Sequence, residues 1–252
     1  KLHTQLNPYL RAADASYRST GLPLMRALVL THPRDRRAQA VDDEFELGDG
    51  LLAAPVVTRG ARRRAVYLPR GRWLPWWRAV AYEPRSGGYH VDGGRAVRGG
   101  RTLVAPAAVG RLPLFVRAGA ILPMLPAGVS TLSPYRGGGI RLADRADRLR
   151  LLAFPHGRSR GGAYEHDRFV SRARSGTWRL AIRANRVRRF RLEAATAGLR
   201  ASRGGSFVPC AVRLAGRPLP RSSWSFDRGH GVLRARFRIR HGVLAVRDAC
   251  RK

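Results

Sequence analysis

The stretch PLFVRAGAILP, residues 113–123, is an apolar segment bounded by a proline at each end and interrupted by Arg117 and Gly119. Proline has no N–H to donate to a sheet ladder, so the two prolines mark strand ends. The branched and aromatic side chains between them suit a pleated, buried surface. Gly119 indicates a bulge or a close approach of two backbone segments. The stretch therefore predicts one bent, buried strand or a pair of short strands.

Short apolar runs broken by glycine and proline surround this stretch from Leu51 onward. They recur at intervals of about 8–12 residues, which is typical of antiparallel sandwiches. A turn-rich joint, LSPYRGGGI at residues 132–140, divides the runs into two series. The first series is LLAAPVV, RAVYLP, RWLPWW, TLVAPA, LPLFVR and AILPML, and the second is RLRLLAF, TWRLAIR, RRFRLEA, CAVRLAG, GVLRARFRIR and GVLAV.

The run GVLRARFRIR near the C-terminus alternates apolar residues with Arg234, Arg236, Arg238 and Arg240. Because side chains of a strand point to opposite faces in turn, the four arginines share one face. A half-buried strand with a solvated arginine face is the favoured interpretation. A turn at residues 241–242 would fold the run back as a hairpin. We expect the arginine face to bind anions weakly and without sequence specificity.

The N-terminal segment predicts one helix followed by one strand. A glycine at position 21 fits a helix C-cap, and LPLMRALVL, residues 22–30, is expected to form one buried strand. Helix, loop and apolar strand in this order are typical of an α/β unit. Five residues are spaced for one face of the helix, namely Leu2, Leu6, Leu10, Ala13 and Tyr17.

The chain is long and apolar enough to bury real cores, with 252 residues of which 44% are hydrophobic. Its 49 Lys+Arg against 16 Asp+Glu give a net charge of +33, and all the basic residues except Lys1 and Lys252 are arginine. Residues 1–50 carry seven basic and seven acidic side chains, whereas residues 141–252 carry 28 and seven. Such asymmetry indicates modules with different surfaces. Charge alone would suit a protein that binds nucleic acid or another polyanion, but no nucleic-acid fold signature appears.

Two groups of residues invite a functional interpretation. Trp73, Trp76 and Trp77 could form a platform for sugar rings, although large aromatics in a sandwich more often pack in the core. Asp42, Asp43 and Glu44 could be catalytic carboxylates. A glycosidase needs two carboxyl groups on opposite sides of the scissile bond, which neighbours in one loop rarely provide. We therefore favour packing for the tryptophans and a capping or solvated loop for the acids.

The remaining candidates lack the pattern of a reactive site. His90 with Asp92, and His166 with Asp167, have no third ligand at metal-binding spacing. The sequences GDG, SGG and DGG fit turns, since no dinucleotide or phosphate-loop motif is present. Cofactors and metals are therefore not expected. Cys210 and Cys250 are either two inert thiols or one disulfide, and a disulfide would favour export, although localisation stays undetermined.

The start of the chain is abrupt. Lys1 leads directly into the helical pattern, without an initiating methionine or a secretory leader pattern. No stretch approaches the roughly 20 apolar residues needed to span a bilayer, so no membrane partner is expected. We interpret the chain as a fragment of a longer protein.

Several ordered motifs resemble those of glycoside hydrolase family 31, which contains α-glucosidases and α-xylosidases. LNPYLRAADASYRSTGLPLMRAL (6–28) is similar to the last barrel helix and strand, with Ala27 in place of the family's proline. FELGDGLLAAPVVTRGARRRAVYLPRGRW (45–73) resembles the junction into the proximal sandwich, and LPLFVRAGAILP (112–123) resembles its closing stretch. Pro75 stands where the family often has Asp. AYEHD (163–167) is similar to the family's Y-E-D-x-G turn, with His166 departing from it.

The resemblance implies a mainly β fold made of three parts. Residues 1–46 would be the end of a (β/α)8 barrel, contributing one helix and one strand. Residues 47–130 would be a proximal antiparallel β-sandwich, and residues 131–252 a distal, strongly basic one.

The resemblance also implies a parent enzyme that is a retaining α-glycosidase acting on terminal α-linked sugars of oligosaccharides or glycosides. Its two catalytic carboxylates would lie upstream, so this chain would contain no catalytic residue and would be inactive alone. Its substrate-binding residues, the sugar, the linkage and the oligomeric state are not fixed by the sequence. The expected partner is a carbohydrate reached through the missing barrel, without specific nucleic-acid binding. The alternatives are an arginine-rich protein that binds nucleic acid or other polyanions, and a non-catalytic carbohydrate-binding module.

Overall fold

The computed structural model describes residues 1–132, 134–135, 138–139 and 145–249. It is mainly β, with 46% of residues in strands and 17% in helices, as predicted. Helices α1 to α5 are Leu2–Gln5, Asn7–Thr20, Leu28–Thr31, Arg36–Gln39 and Trp76–Ala79. Three short 3₁₀ turns are Tyr164–His166, Thr196–Gly198 and Arg221–Ser223.

The strands of the N-terminal half, β1 to β11, are Met25–Ala27, Phe45–Leu47, Leu51–Ala53, Arg63–Leu68, Arg72–Pro75, Val80–Glu83, Gly88–Val91, Val97–Arg98, Arg101–Pro106, Leu114–Arg117 and Ile121–Met124. Strands β12 to β21 are Pro134–Tyr135, Gly138–Gly139, Arg148–Ala153, Arg158–Ala163, Asp167–Arg174, Thr177–Ala195, Ala211–Leu214, Arg217–Pro218, Trp224–Asp227 and Val232–Arg247.

Two large sheets carry the fold. The first has six strands in the order β1-β2-β3-β10-β5-β8 and is antiparallel throughout. The pairs β4–β9 and β6–β7 form separate two-stranded ladders, and β12 pairs with β13. The second sheet has nine strands built around β17 and β21, and its β14 runs parallel to β17 while its other pairs are antiparallel. The second sheet is therefore mixed, where the sequence led us to expect an antiparallel one.

The segment that links the two sheets is the stretch with which the sequence analysis began. β10 belongs to the first sheet and β11 to the second, so the predicted strand pair exists but its members do not pair with each other. Gly119 between them has a φ of 101°, a region that favours glycine. Its N–H donates to the carbonyl of Phe154 at 2.6 Å, which ties the link to the second sheet.

Three hydrophobic clusters fill the interior of the part of the chain that the structure describes. One lies within the second sheet and contains Phe169, Trp178 and Phe190. Another lies under the first sheet and contains Trp73 and Phe115. The third joins residues from α2 and both sheets, among them Leu6, Leu10, Leu51, Leu74, Leu122, Met124, Leu152 and Phe154. The two large sheets therefore share a core.

The N-terminal helix agrees with its prediction in most respects. A break at Leu6 divides it into α1 and α2, and Gly21 caps α2 in a left-handed conformation with its N–H bonded to the Tyr17 carbonyl. Leu6, Leu10 and Ala13 are buried as the spacing predicted, but Tyr17 is 50% exposed. The helix thus packs through its first turns and leaves its last turn open.

The stretch LPLMRALVL, residues 22–30, does not form one buried strand. β1 covers only three residues and pairs with β2, which is equally short. Leu28 begins a helical turn, in which the N–H of His32 donates to its carbonyl at 2.8 Å. Once the partner strand ends, the backbone completes its hydrogen bonds locally, and the extended conformation stops.

The predicted hairpin at residues 241–242 is also wrong. β21 is one strand of 16 residues that pairs with β17 on both sides of a register shift between Arg183 and Arg188. Because β17 is 19 residues long, it supplies hydrogen bonds to both halves of β21. The predicted alternation of buried apolar residues with arginines is confirmed. Leu233, Ala235 and Phe237 are buried, and arginines lie between them.

The predicted division at residues 46 and 130 stays a prediction. β2, Phe45–Leu47, crosses the first of these positions. The change of sheet occurs at Gly119 rather than near residue 130. β1 pairs antiparallel within the first sheet, whereas a barrel strand would also need parallel neighbours, which the described residues do not include.

Replacing Gly119 by alanine should destabilise the fold. A left-handed alanine is strained, and its methyl group would lie 3.2 Å from both the His156 carbonyl oxygen and the Ser159 Cβ. We expect the free energy of unfolding to fall by about 1–3 kcal/mol, measured by urea unfolding followed by circular dichroism.

The matched control is Gly60→Ala. Gly60 also has a positive φ, 77°, but a Cβ there would meet no atom within 4 Å. This variant isolates backbone strain from close packing, so its loss should be smaller. Equal losses of unfolding free energy in the two variants would show that close packing around Gly119 does not contribute to the destabilisation.

Candidate functional site

Helix α2 is fixed to the first sheet by Tyr9. The Tyr9 hydroxyl donates to the Leu47 carbonyl at 2.6 Å and accepts from the Gly50 N–H at 2.8 Å. Burial raises the pKa of Tyr9 above its usual value. A Cβ at Gly48 would lie 2.6 Å from the Tyr9 hydroxyl, so the GDG turn needs glycine for this close approach. The predicted role of these glycines as turn residues is confirmed.

The last part of α2 and the residues that follow it expose four large apolar side chains, Tyr17, Met25, Val29 and Leu30, which we call the apolar edge. They are 50%, 56%, 38% and 49% exposed, respectively. β1, which carries Met25, is an edge strand of the first sheet. Exposed apolar side chains concentrated in one short segment are typical of an interaction surface.

Hydrogen bonds and ion pairs hold the backbone that carries the apolar edge. Arg26 is 3% exposed, donates from Nε to the Pro23 carbonyl at 2.8 Å and pairs with Asp49 at 2.5 Å. His32 lies 3.0 Å from the Glu46 carboxylate. These bonds hold β1 and α3 against β2 and the turn that follows it. The apolar side chains are therefore presented on an ordered backbone.

The acidic loop has one buried member. Asp42 is exposed and Asp43 pairs with Arg64 at 2.7 Å, but Glu44 is 6% exposed. Glu44 accepts the Tyr67 N–H at 2.8 Å and lies 3.4 Å from the Arg64 guanidinium. Burial raises the pKa of Glu44 to about 7 against the opposing effects of these two partners. The expectation of a capping or solvated loop is therefore wrong for Glu44, because folding buries its carboxylate against Tyr67 and Arg64, which lie 20 or more residues away in the sequence.

The tryptophans do not form a platform. Trp73 and Trp76 are 1% and 0% exposed and lie in different hydrophobic clusters. The Trp73 indole N–H donates to the Pro69 carbonyl at 2.9 Å, and that of Trp77 donates to the Leu112 carbonyl at 2.7 Å. The favoured interpretation, packing, is confirmed.

His90 belongs to a polar network that joins the two halves of the molecule. Its Nδ1 lies 3.1 Å from Glu193, which also accepts from Arg150 at 2.7 Å and from the Val91 N–H at 2.9 Å. Burial alone would raise the pKa of Glu193, but the His90 hydrogen bond and the Arg150 charge lower it to about 2. Asp92 is not part of this network and lies 3.6 Å from His230.

His166 and Asp167 are neighbours with different surroundings. Asp167 is 1% exposed and binds the fully buried Arg188, which also reaches Glu165 at 2.9 Å. His166 is exposed, and both it and Glu165 have a φ of 62°. The turn that resembles the family motif is thus held by a buried guanidinium, whereas the histidine that departs from the motif faces solvent.

A cleft of about 910 Å³ lies between α2, the link at Gly119 and β15. Its wall includes small residues of α2 and the side chains of Arg117 and Arg160. The two carboxylates that line it, Asp49 and Asp167, are already paired with Arg26 and Arg188. Two free, opposed carboxylates, which glycoside hydrolysis requires, are therefore not present in this cleft.

The cysteines and the possible metal ligands form no reactive site within the described residues. Cys210 is disulfide-bonded, and Cys250 lies outside the described residues. Among residues 1–132, 134–135, 138–139 and 145–249, no group of three or more His, Cys, Asp or Glu could hold a metal ion. In the same part of the chain, no helix is both long and apolar enough to cross a membrane.

Residues 21–122 match the family model described as "Glycosyl hydrolase family 31 C-terminal domain". The isomaltosyltransferase of Sporosarcina globispora is 34% identical over 124 residues, which are 48% of this chain and 10% of that protein. Neutral alpha-glucosidase AB of Sus scrofa is 38% identical over 103 residues, 41% of this chain and 10% of that protein. The matched part therefore spans about a tenth of these curated relatives.

The fold extends beyond the matched sequence. The cycloalternan-forming enzyme from Listeria monocytogenes, solved with a pentasaccharide substrate, superposes with a TM-score of 0.72 at 22% identity. The superposition covers 97% of this chain and 22% of that one. The two comparisons together confirm the resemblance drawn from the motifs, at the level of the domain and its fold.

Replacing Glu44 by glutamine should stabilise the protein at alkaline pH. Because the pKa of Glu44 is about 7 in the fold and near 4.5 in the unfolded chain, stability falls as pH rises between these values. Glutamine keeps the acceptor for Tyr67 without the buried charge. We expect a gain on the order of 2 kcal/mol at pH 8 that shrinks as pH falls and vanishes below about pH 4, measured by urea unfolding at pH 8 and at pH 4.

Glu193→Gln provides the opposite case. The pKa of Glu193 is lowered to about 2, so its contribution is present above pH 4.5 and is lost as pH falls towards 2. This variant should be less stable than the wild type at pH 7 and close to it near pH 2. If the unfolding free energies of the two variants changed with pH in the same direction relative to the wild type, the networks assigned to Glu44 and Glu193 would be contradicted.

Proposed function

We propose that this chain, whose residues 21–122 are a glycosyl hydrolase family 31 C-terminal domain, is the C-terminal portion of a retaining α-glycosidase. The parent enzyme would remove terminal α-linked sugars from oligosaccharides or glycosides. Residues 1–46 would close its (β/α)8 barrel, and residues 47–130 and 131–252 would be accessory β domains. The catalytic carboxylates would lie in the part of the parent outside these residues.

The apolar edge is the observation that carries this proposal. Tyr17 and Met25 lie in the segment 6–28 that resembles the last barrel helix and strand, and Val29 and Leu30 directly follow that segment. Met25 is on β1, the edge strand of the first sheet. Fully burying one large apolar side chain contributes roughly 1.5–3 kcal/mol. Since these four are about half exposed, covering them with a neighbouring barrel wall would contribute several kcal/mol. The partner we assign to this edge is therefore the catalytic barrel.

The pairing of the buried carboxylates also supports a structural, non-catalytic role for this chain. A retaining glycosidase uses one carboxylate as nucleophile and a second as acid and base, with about 5 Å between them. The buried carboxylates of the described residues are Glu44, Glu46, Asp167 and Glu193. They are engaged by Arg64, His32, Arg188 and Arg150, respectively, and Glu44 and Glu193 also accept backbone N–H groups. Such carboxylates hold the fold together, so the contribution of this chain to catalysis would be to support and shape the barrel.

The purified chain should show no turnover of aryl α-glucosides or α-xylosides. The physical reason is that the cleft beside α2 is lined by Asp49 and Asp167, which are already paired with arginines, and not by two free, opposed carboxylates. The measurement is release of the aryl alcohol, compared with a heat-killed sample. Turnover above that control would contradict the non-catalytic role.

The double variant Met25→Ser and Leu30→Ser should remain folded, because both side chains are about half exposed. If the apolar edge is a docking surface, the variant should bind less hydrophobic dye and self-associate less than the wild type. Val187→Ser is the matched control, since Val187 is 45% exposed but lies on the second sheet. A large loss of thermal stability in the double variant would instead place these residues in a core.

A further inference from the structure

The outer face of the second sheet contains a groove of about 460 Å³ formed by β16, β17 and β21. Four arginines surround it, namely Arg172, Arg174, Arg179 and Arg247. All four side chains are exposed. The face beneath carries the hydrophobic cluster with Phe169 and Trp178, so the groove lies on a well-packed support.

The floor of the groove is aliphatic and small. Val170, Ala181, Val243 and Ala245 are only partly buried and line it between the arginines. No aromatic side chain lines the groove in the part of the chain that the structure describes. Nonspecific binding of single-stranded nucleic acid usually relies on aromatic side chains that stack on bases. The groove lacks such a platform.

The strand register arranges these arginines in a row. Arg172 lies directly opposite Arg158 on β15 and opposite Arg179 on β17. The row continues through Ala245 on β21 to Arg213 on β18. With about 4.8 Å between strands, these five positions span roughly 19 Å. A linear polymer lying across the strands would therefore meet a guanidinium on four of five strands.

No carboxylate compensates this row among the described residues. Arg158, Arg172 and Arg179 have no ion pair within residues 1–132 and 145–249, in contrast to Arg26, Arg150 and Arg188 elsewhere in the fold. Like charges placed directly opposite each other destabilise a sheet. A bound anion would remove this repulsion. The charge of the groove thus points to an anionic ligand with several charges in line.

We propose that this groove binds a linear acidic polysaccharide. The planar guanidinium matches sulfate or carboxylate with two parallel hydrogen bonds, and the aliphatic floor can contact the C–H face of a sugar ring. This inference goes beyond the proposed function, because it concerns a surface of the second sheet that does not depend on the barrel or its carboxylates. It also differs from the β21 arginine face, for which the sequence predicts only weak anion binding and which does not line the groove.

The test compares dextran sulfate with neutral dextran of the same length and with single-stranded DNA, using the full chain and isothermal titration calorimetry. Dextran sulfate should bind with an affinity that falls as salt rises, and neutral dextran should not bind. The double variant Arg172→Gln and Arg179→Gln should lose at least tenfold in affinity. The slope of log affinity against log salt concentration should become shallower by about one to two units, as expected when two charge contacts are removed.

The matched control is the double variant Arg236→Gln and Arg238→Gln, which removes the same charge from the other half of the sheet. These arginines are also exposed and opposed by Arg191 and Arg189. The control should keep its affinity within twofold. Equal losses in the two double variants would mean that net charge, not the groove, binds the polymer, and tighter binding of DNA would overturn the choice of polysaccharide.

A second measurement uses the wild-type chain alone. Phenylglyoxal modifies accessible arginines, and mass spectrometry locates the modified side chains. Dextran sulfate should protect Arg172 and Arg179 and leave Arg236 and Arg238 reactive. Uniform protection, or none at the groove, would contradict the proposal even if the variants were unstable.

Discussion

The passage of the chain from the first sheet to the second depends on one left-handed glycine. Between β10 and β11 the backbone changes sheets within three residues, and Gly119 holds a φ of 101° there while its N–H bonds to Phe154. Because the strands on both sides are buried, Leu122 and Met124 enter the same cluster as Leu51 and Leu74. The shared core, and with it the relative position of the sheets, follows from this turn.

Buried ion pairs are the second constraint on the fold. In a protein with a net charge of +33, the scarce carboxylates are placed where they fix the junctions. Glu193 joins Arg150 and His90 across the two halves, and Asp167 holds Arg188 under the turn at residues 164–166. Removing one member of such a pair leaves an uncompensated buried charge, which is costly. The excess arginines therefore lie on surfaces, where water and anions solvate them.

The two surfaces assigned a role differ in chemistry for this reason. The apolar edge lies next to a neutral N-terminal segment, which suits permanent burial against another protein wall. The groove lies in the most basic part of the chain, where a charged ligand gains most from the arginine row. The proposed docking of a catalytic barrel on the apolar edge and the proposed polyanion binding in the groove are compatible in one molecule, since the two surfaces consist of different residues on different elements.

The sequence by itself determined the mainly β class, the buried strand character of the stretch around Gly119, the capped helix and the alternation in β21, because these depend on local propensity and side-chain period. It also carried the family motifs. It did not determine the strand ends, since Pro123 lies inside β11. Only the tertiary structure decided the rest, since partners distant in sequence are not encoded in any local pattern. The 22–30 segment became a short strand and a helical turn because β2 ended, and residues 232–247 stayed one strand because β17 was long enough to pair with it. Glu44 and Glu193 acquired opposite pKa shifts for the same reason: burial and the charges brought beside them by folding, not their neighbours in sequence, set the energy of each carboxylate.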